Sequence, residues 1–291
     1  MTEVQFKRFL AATDFSEDAG HAALRAAMLA SEQRAELELL HVVSKPSLDA
    51  LRAWVHAPVA DRLVEDVRRT LSDYAAGIAA KTAINPRVRV AIGDVLSEIV
   101  SSCERVDMLA VGARGNNSLR DAFVGTTAER TLGKCRQPVL VVKRPPLRAY
   151  ARVLVPLDLT PSSERALRIA PHIAPDAMII GLHAYEVLFE SRLRLAGASD
   201  DEIESHLLSI ENKAAADVSA LWQKTGAVQQ RFDQIVKRGS PALVIGEQQQ
   251  RLAADLIVIG KHGGAGVGPF FLGSVTRHVL AESGCDVLVL Q

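Results

Sequence analysis

One glycine loop occurs twice in this chain, once in each half. Gly112-x-x-Gly115, nine residues and Gly125-Thr126 are matched by Gly260-x-x-Gly263, nine residues and Gly273-Ser274. Each copy follows an apolar run, Met108-Leu109-Ala110-Val111 or Leu256-Ile257-Val258-Ile259, and precedes a helix-like stretch. The loop therefore stands between a strand end and a helix start. Glycine lacks a Cβ, so its backbone N–H groups can approach an anion closely. The helix start adds unpaired donors and the positive end of its dipole. A loop of this kind is suited to phosphate.

The duplication extends along the whole chain. Asp14 answers to Asp158, Leu40-His41 to Leu182-His183, Gly93 to Gly239, and Asp107 to Asp255. Val139-Leu140-Val141 answers to Val287-Leu288-Val289. The offset grows only from 142 (His41 to His183) to 148 (Asp107 to Asp255), so a few short insertions separate two whole copies. A period of this length means tandem domains and not a solenoid. The expected units are residues 1–146 and 147–291, joined at Arg144-Pro145-Pro146-Leu147-Arg148. The two prolines make the link short and stiff.

Within the first half the pattern reads as strand Phe9 to Thr13, helix from Ser16 to Gln33, and strand Leu37 to Val43. A helix from Val59 to Lys81, strand Arg87 to Ala91 and helix Val95 to Glu104 follow. Strand Met108 to Val111, the glycine loop, helix Thr126 to Lys134 and strand Val139 to Val142 complete the unit. Strands alternating with helices imply right-handed crossovers and an α/β, largely parallel, doubly wound sheet. Ser16 and Thr160 are expected N-caps, the latter followed by Pro161 at the first helical position. Ser199-Asp200-Asp201-Glu202 reads as a capping box opening a helix to about Lys224. The stretch Ser44 to Pro58, with Trp54 and His56, carries no clear signal.

Composition narrows the function. Lys plus Arg and Asp plus Glu both number 34, and aromatics are 4%. A nucleic-acid binder would show a basic face and aromatic platforms, so no nucleic-acid partner is expected. The N-terminus has no signal-peptide pattern, and no apolar run is long enough to span a bilayer, so no membrane role is expected. Cys103, Cys135 and Cys285 are too scattered, and not equivalent between the repeats, to suggest a metal site or disulfide framework. Reduced cytoplasm is the expected setting.

Thr13-Asp14-Phe15-Ser16, Leu39-Leu40-His41-Val42, Val111-Gly112-x-x-Gly115, Gly125-Thr126 and Pro138-Val139-Leu140-Val141-Val142 together resemble the universal stress protein family, and the second half repeats the pattern. The resemblance covers essentially the whole chain, as a tandem member. It implies two Rossmann-like (adenine nucleotide alpha hydrolase-like) domains, each a five-stranded mostly parallel sheet with helices on both faces. It also implies an adenine-nucleotide site in each domain, for ATP, ADP or AMP. This agrees with the rule that open parallel sheets bind ligands where strand order reverses. By the same resemblance Asp14 and Asp158 lie near adenine or ribose, and Val42 and Ala184 offer backbone contacts to the adenine edge. Gly112, Gly115, Gly125, Thr126 and Thr127 would surround ribose and phosphates in the first half. Gly260, Gly263, Gly273, Ser274 and Val275 would do so in the second. Mg²⁺ accompanying ATP would bind chiefly through phosphate oxygens and water.

Plainer readings stand beside these. Asp14 and Asp158 could serve only the strand-to-helix turns, Gly125 and Gly273 only helix packing, and His41 and His183 read as structural histidines. The chain departs from the family pattern at Ala12, Arg114, Leu157 and Ala184. Arg114 and Arg120 favour a triphosphate in the first loop, while the second loop offers only Lys261 and His262 but more glycine. Both are expected to bind, with unequal affinity. Gly133-Lys134 lacks the earlier glycine and following hydroxyl of a Walker A motif, and no metal-ligand cluster or paired carboxylates accompany either loop. The expectation is a nucleotide-binding regulator without efficient turnover. A slow ATP hydrolase and a ligand-free scaffold are the alternatives. The last strand of each half is expected to pair with the other as an intramolecular pseudo-dimer, against the alternative of independent beads on a linker, and a homodimer is expected beyond that.

Overall fold

A computed structural model describes residues 5–54, 57–115, 125–186, 199–227, 230–262 and 272–291. The first half runs β1 (Arg8–Ala12), α1 (Glu17–Gln33), β2 (Glu36–Ser44), α2 (Lys45–Trp54), α3 (Ala57–Thr82) and β3 (Arg87–Gly93). It continues with α4 (Val95–Cys103), β4 (Met108–Gly112), α5 (Thr126–Lys134) and β5 (Val139–Val142). The second half runs β6 (Arg152–Leu157), α6 (Pro161–Ile173), β7 (Met178–Tyr185), α7 (Asp200–Thr225) and β8 (Phe232–Arg238). It ends with α8 (Pro241–Arg251), β9 (Leu256–Gly260), α9 (Ser274–Glu282) and β10 (Asp286–Leu290).

The strands form one sheet in the order β3-β2-β1-β4-β5-β10-β9-β6-β7-β8. Neighbours within each half are parallel, and only the central pair, β5 and β10, is antiparallel. Its register sets Leu140 opposite Leu288, Val141 opposite Val287 and Val139 opposite Val289. The two edges that would otherwise be open thus satisfy each other, in the pseudo-dimer arrangement that the tandem sequence suggested.

Helices cover both faces, which is why β4, β5 and β9 are apolar throughout and β10 is apolar after Asp286. One core joins α1, α3, α6 and α7 to the sheet and holds both Leu140 and Leu288. The other joins α4, α5, α8 and α9 and holds Val139, Val141, Val287 and Val289. Each core therefore contains residues of both halves. α1 fits closely because its buried stripe is alanine: Ala22, Ala23, Ala26, Ala27 and Ala30 are all inaccessible.

The link between halves is held as well. Arg25 of α1 is buried, donates from Nη1 to the Arg148 carbonyl at 2.8 Å, and lies 4.0 Å from the Tyr150 ring centroid. Its Nε is 3.4 Å from Asp286 Oδ2, which also accepts from Tyr150 Oη at 2.7 Å. Burial raises the Asp286 carboxyl above its ordinary value, opposed by the Lys143 N–H, Tyr150 and Arg25.

Some local expectations change. Ser44 to Pro58 is not without structure: α2 follows β2 directly because Leu48 is buried beside Val43 and meets Val64, Val67 and Val90. His56 lies outside the described residues. Ser16 caps α1 and Ser199 forms the capping box with Glu202, but Thr160 makes no side-chain cap bond. Its hydroxyl donates instead to Asp158 Oδ1 at 2.6 Å. The matched Asp107 and Asp255 also have a structural task. Asp107 accepts the Lys7 and Arg8 N–H groups, and Asp255 those of Ala151 and Arg152, at the starts of β1 and β6. Among the described residues no helix is long and apolar enough to cross a membrane.

Candidate functional site

In each half the strand order reverses beside the first strand, so a crevice opens at the C-terminal ends of the strands. The turn after that strand is built alike twice. Phe15 and Leu159 adopt left-handed φ angles of 63° and 61°, uncommon for such bulky residues. The preceding aspartate bridges the turn: Asp14 Oδ1 accepts the Ser16 N–H at 3.0 Å and Asp158 Oδ1 that of Thr160 at 3.1 Å. His41 Nδ1 lies 2.8 Å from the Thr13 carbonyl and His183 Nδ1 2.8 Å from that of Leu157. A carbonyl only accepts, so Nδ1 carries the proton in both. These histidines tie the second strand to the turn, and Phe15 stacks on His41 at 4.6 Å.

The glycines divide by role. A Cβ on Gly112 would stand 2.6–2.8 Å from the backbone of Asp18 and Ala19, and one on Gly260 would collide with the Ser162 hydroxyl. These two glycines let α1 and α6 approach the sheet. A Cβ on Gly115 would stand 2.7 Å from Asp14 Oδ2, so this glycine makes room for the carboxylate inside the crevice. Gly125 N–H donates to the Ala113 carbonyl at 2.7 Å and Gly273 N–H to that of Lys261 at 2.9 Å, closing both loops identically. Gly125 and Gly273 are the N-caps of α5 and α9, and neither helix has a side-chain cap bond. Among the described residues a Cβ on Gly125 would meet nothing nearer than 3.4 Å, so close packing against them does not demand that glycine.

The first crevice is a cavity of about 410 Å³ and the second one of about 290 Å³. Asp14, Val42, Gly112, Gly115, Gly125 and Thr127 line the first. Asp158, Ala184, Gly260, Gly273, Ser274 and Val275 line the second. Thr126 opens α5, and its side chain lies outside the described residues. Gly263 and Arg120 lie outside the described residues. The sequence reading missed the walls that α4 and α8 supply, Val95 and Ile99 in one cavity and Pro241 and Ile245 in the other. Their i, i+4 spacing is the signal that they share a helix face. It also missed Thr276, whose hydroxyl donates to the Gly260 carbonyl at 2.8 Å.

The charges differ between cavities. Arg114 lines the first. Lys261, counted from sequence with the second phosphate loop, is buried and turned away, its Nζ donating to the Gly133 carbonyl at the C-terminal end of α5 at 3.0 Å. The reason is electrostatic, since helix C-terminal carbonyls attract a cation. His262 remains in the second cavity, both ring nitrogens buried without a hydrogen-bond partner among the described residues. Burial, then the Lys261 charge, push its imidazole below the usual value, toward the neutral form. Among the described residues each cavity has one lining carboxylate, already engaged by its turn, and no group of three or more His, Cys, Asp or Glu could hold a metal.

Known proteins match this architecture. The family model described as "Universal stress protein family" matches residues 5–143 and again 149–291. Universal stress protein A homolog 2 of Coxiella burnetii is 31% identical over 145 residues, 49% of this chain and 95% of its own length. The universal stress protein E homolog of Haemophilus influenzae is 22% identical over 99% of this chain and 98% of its own. Among solved structures, a universal stress protein from Archaeoglobus fulgidus superposes with a TM-score of 0.70 at 21% identity, covering 99% of both chains.

Proposed function

The chain belongs to the universal stress protein family, and we propose that it binds an adenine nucleotide in each half, as a regulator without efficient turnover. We take residues 1–146 and 147–291 as the two binding units. The observation that carries this reading is the pair of glycine-capped helix starts. α1, α4 and α7 begin with a side chain accepting a backbone N–H, and the uncapped α6 and α8 begin on a proline that has no N–H, whereas α5 and α9 begin at the crevices on a glycine, with no side-chain cap bond. Such an end offers backbone donors and a positive dipole to phosphate. The apolar walls, Val42 and Ile99 or Ala184 and Ile245, suit a flat purine, with Asp14 or Asp158 at the rim for polar ring or ribose groups.

Both cavities approach or fall within the several-hundred-Å³ range of small-ligand sites. The first is larger and carries Arg114, which favours tighter binding of a triphosphate there. The second presents the His262 imidazole, held below its usual value by burial and without a hydrogen-bond partner among the described residues. With one carboxylate per cavity among the described residues, Mg²⁺ would be held mainly by phosphate oxygens and water. A cytoplasmic setting belongs to the same proposal. So does a homodimer of the whole chain, which would use a face other than the paired β5–β10 edge.

Mass spectrometry of the purified protein should release ATP, ADP or AMP, and calorimetry of the nucleotide-stripped protein should show two unequal sites. A folded protein that binds no adenine nucleotide would end this reading in favour of the scaffold. Phosphate release should fall far below an ordinary enzyme turnover of about ten per second. Release near that rate, abolished by Asp14→Asn or Asp158→Asn, would establish a hydrolase instead.

A further inference from the structure

Of three cysteines scattered in sequence, two meet in space. Cys103 is the last residue of α4 and Cys135 the C-cap of α5. Their sulfurs lie 2.8 Å apart, although the residues are 32 positions apart in sequence. Both are free thiols, buried among Ile99, Val106, Ala128 and Leu132. Cys285 is also buried but stands elsewhere, beside Asp286 and Lys143.

We propose that Cys103 and Cys135 are a reversible dithiol–disulfide site for hydroperoxides, whose oxidation staples α4 to α5. The geometry is favourable because both cysteines stand at helix ends, where a small backbone adjustment can bring the sulfurs to bonding distance. The two sulfurs are also chemically distinct. The hydrogen bond between the two sulfurs and, next, the Lys261 ammonium ease Cys135 toward the thiolate against the effect of burial. Cys103 is pushed the other way, first by its bond to Cys135 and then by burial, and keeps its proton. The thiolate is the nucleophile in this chemistry, which assigns attack to Cys135 and resolution to Cys103. Burial pushes the Cys285 thiol up to about 12, which leaves it inert.

The reaction balances with one hydroperoxide. Cys135 sulfur attacks the peroxide, an S–O bond forms as the O–O bond breaks, and the leaving oxygen takes the Cys135 proton. Cys103 sulfur then displaces hydroxyl from the sulfenic acid, its own proton leaves with that hydroxyl as water, and the S–S bond forms. Two thiols are oxidised and the peroxide is reduced to two waters, or to water and an alcohol. Burial selects a small oxidant over a bulky disulfide such as oxidised glutathione. The staple would act on the first cavity alone, because Val95 and Ile99 of α4 and Thr127 and Ala128 of α5 are its walls. That consequence rests on the nucleotide reading; the staple itself does not.

The test treats the reduced full-length protein with hydrogen peroxide and follows it by intact mass and non-reducing peptide mapping, with circular dichroism reporting the fold. The expected result is loss of two hydrogens, a peptide joining Cys103 to Cys135, an unmodified Cys285 and full reversal by dithiothreitol. In Cys103→Ser, dimedone should trap a sulfenic acid on Cys135. Lys261→Met should slow oxidation several-fold. Thiols that stay reduced in the folded protein, oxidation of Cys285 in step with the pair, or sulfenic acid first on Cys103 would each overturn the proposal. Where the staple forms, ATP titration should shift at the first site and not the second. An unchanged first site would overturn the coupling, whereas reduced protein that never binds ATP would count against the nucleotide reading alone.

Discussion

At the scale of single residues, the glycines of one loop answer to different physics, and this can be measured. Gly112 faces the backbone of Asp18 and Ala19, which cannot yield without moving α1. Gly112→Ala should therefore cost about 2 kcal/mol of stability by overpacking, read by denaturant unfolding. Gly115 faces a carboxylate, whose displacement strains its bond to the Ser16 N–H but moves no helix, so Gly115→Ala should cost no more than about 1 kcal/mol. It should weaken ATP binding at the first cavity by about tenfold, equivalent to 1.4 kcal/mol, because the displaced Asp14 enters the ligand's space. Equal stability loss in the two variants, with affinity untouched, would refute this division. Both glycines were visible in the sequence as members of one motif. Their different roles were not, because the spacing of a loop does not say which Cβ meets backbone and which meets a side chain.

At the scale of elements, two lysines bind each half to a helix of the other. Lys143, just beyond β5, donates to the Leu280 carbonyl and to the carbonyl and hydroxyl of Ser283, at the C-terminal end of α9. Lys261, just beyond β9, does the same for α5 at Gly133. α5 and α9 are the helices whose opposite ends face the cavities. Lys143→Met should cost about 2 kcal/mol, the worth of a charged hydrogen-bonding group at a helix C-terminus, and should loosen ATP at the second site more than at the first. Calorimetry with a separate unfolding measurement checks both, and a loss confined to the first site would contradict the connection. Order and kind of the strands and long helices were legible from apolar runs, caps and the repeat itself. α2 was not, because its anchor, Leu48, is one buried residue in a short amphipathic stretch. Neither the turning of Lys261 nor the meeting of Cys103 with Cys135 could be read, since both depend on how separate elements pack.

At the scale of the whole molecule, the question is whether two similar halves behave as two domains or as one. Each core draws side chains from both halves, and the central strands pair through Leu140 and Leu288, both fully buried. The buried Arg25 guanidinium has its counter-charge, Asp286, in the other half. Separating the halves would expose that apolar seam and leave buried charges without partners, at a cost of several kcal/mol. Neither half should then persist once the other unfolds, and urea should unfold the chain in one cooperative transition. The two tryptophans of the sequence provide the test, since Trp54 belongs to the first half and Trp222, stacked on Phe232 at 4.2 Å, to the second. Trp54→Phe and Trp222→Phe each leave one fluorescent reporter, and the two reporters should give coincident midpoints. Leu288→Asp places an unpaired carboxylate in the seam and should cost more than about 3 kcal/mol. Because the seam is shared, that one substitution in β10 should lower the midpoint seen by Trp54 as much as that seen by Trp222. A shift confined to Trp222, together with an extended two-lobed scattering profile, would mean that the halves are independent beads and that the antiparallel pair does not hold the chain together.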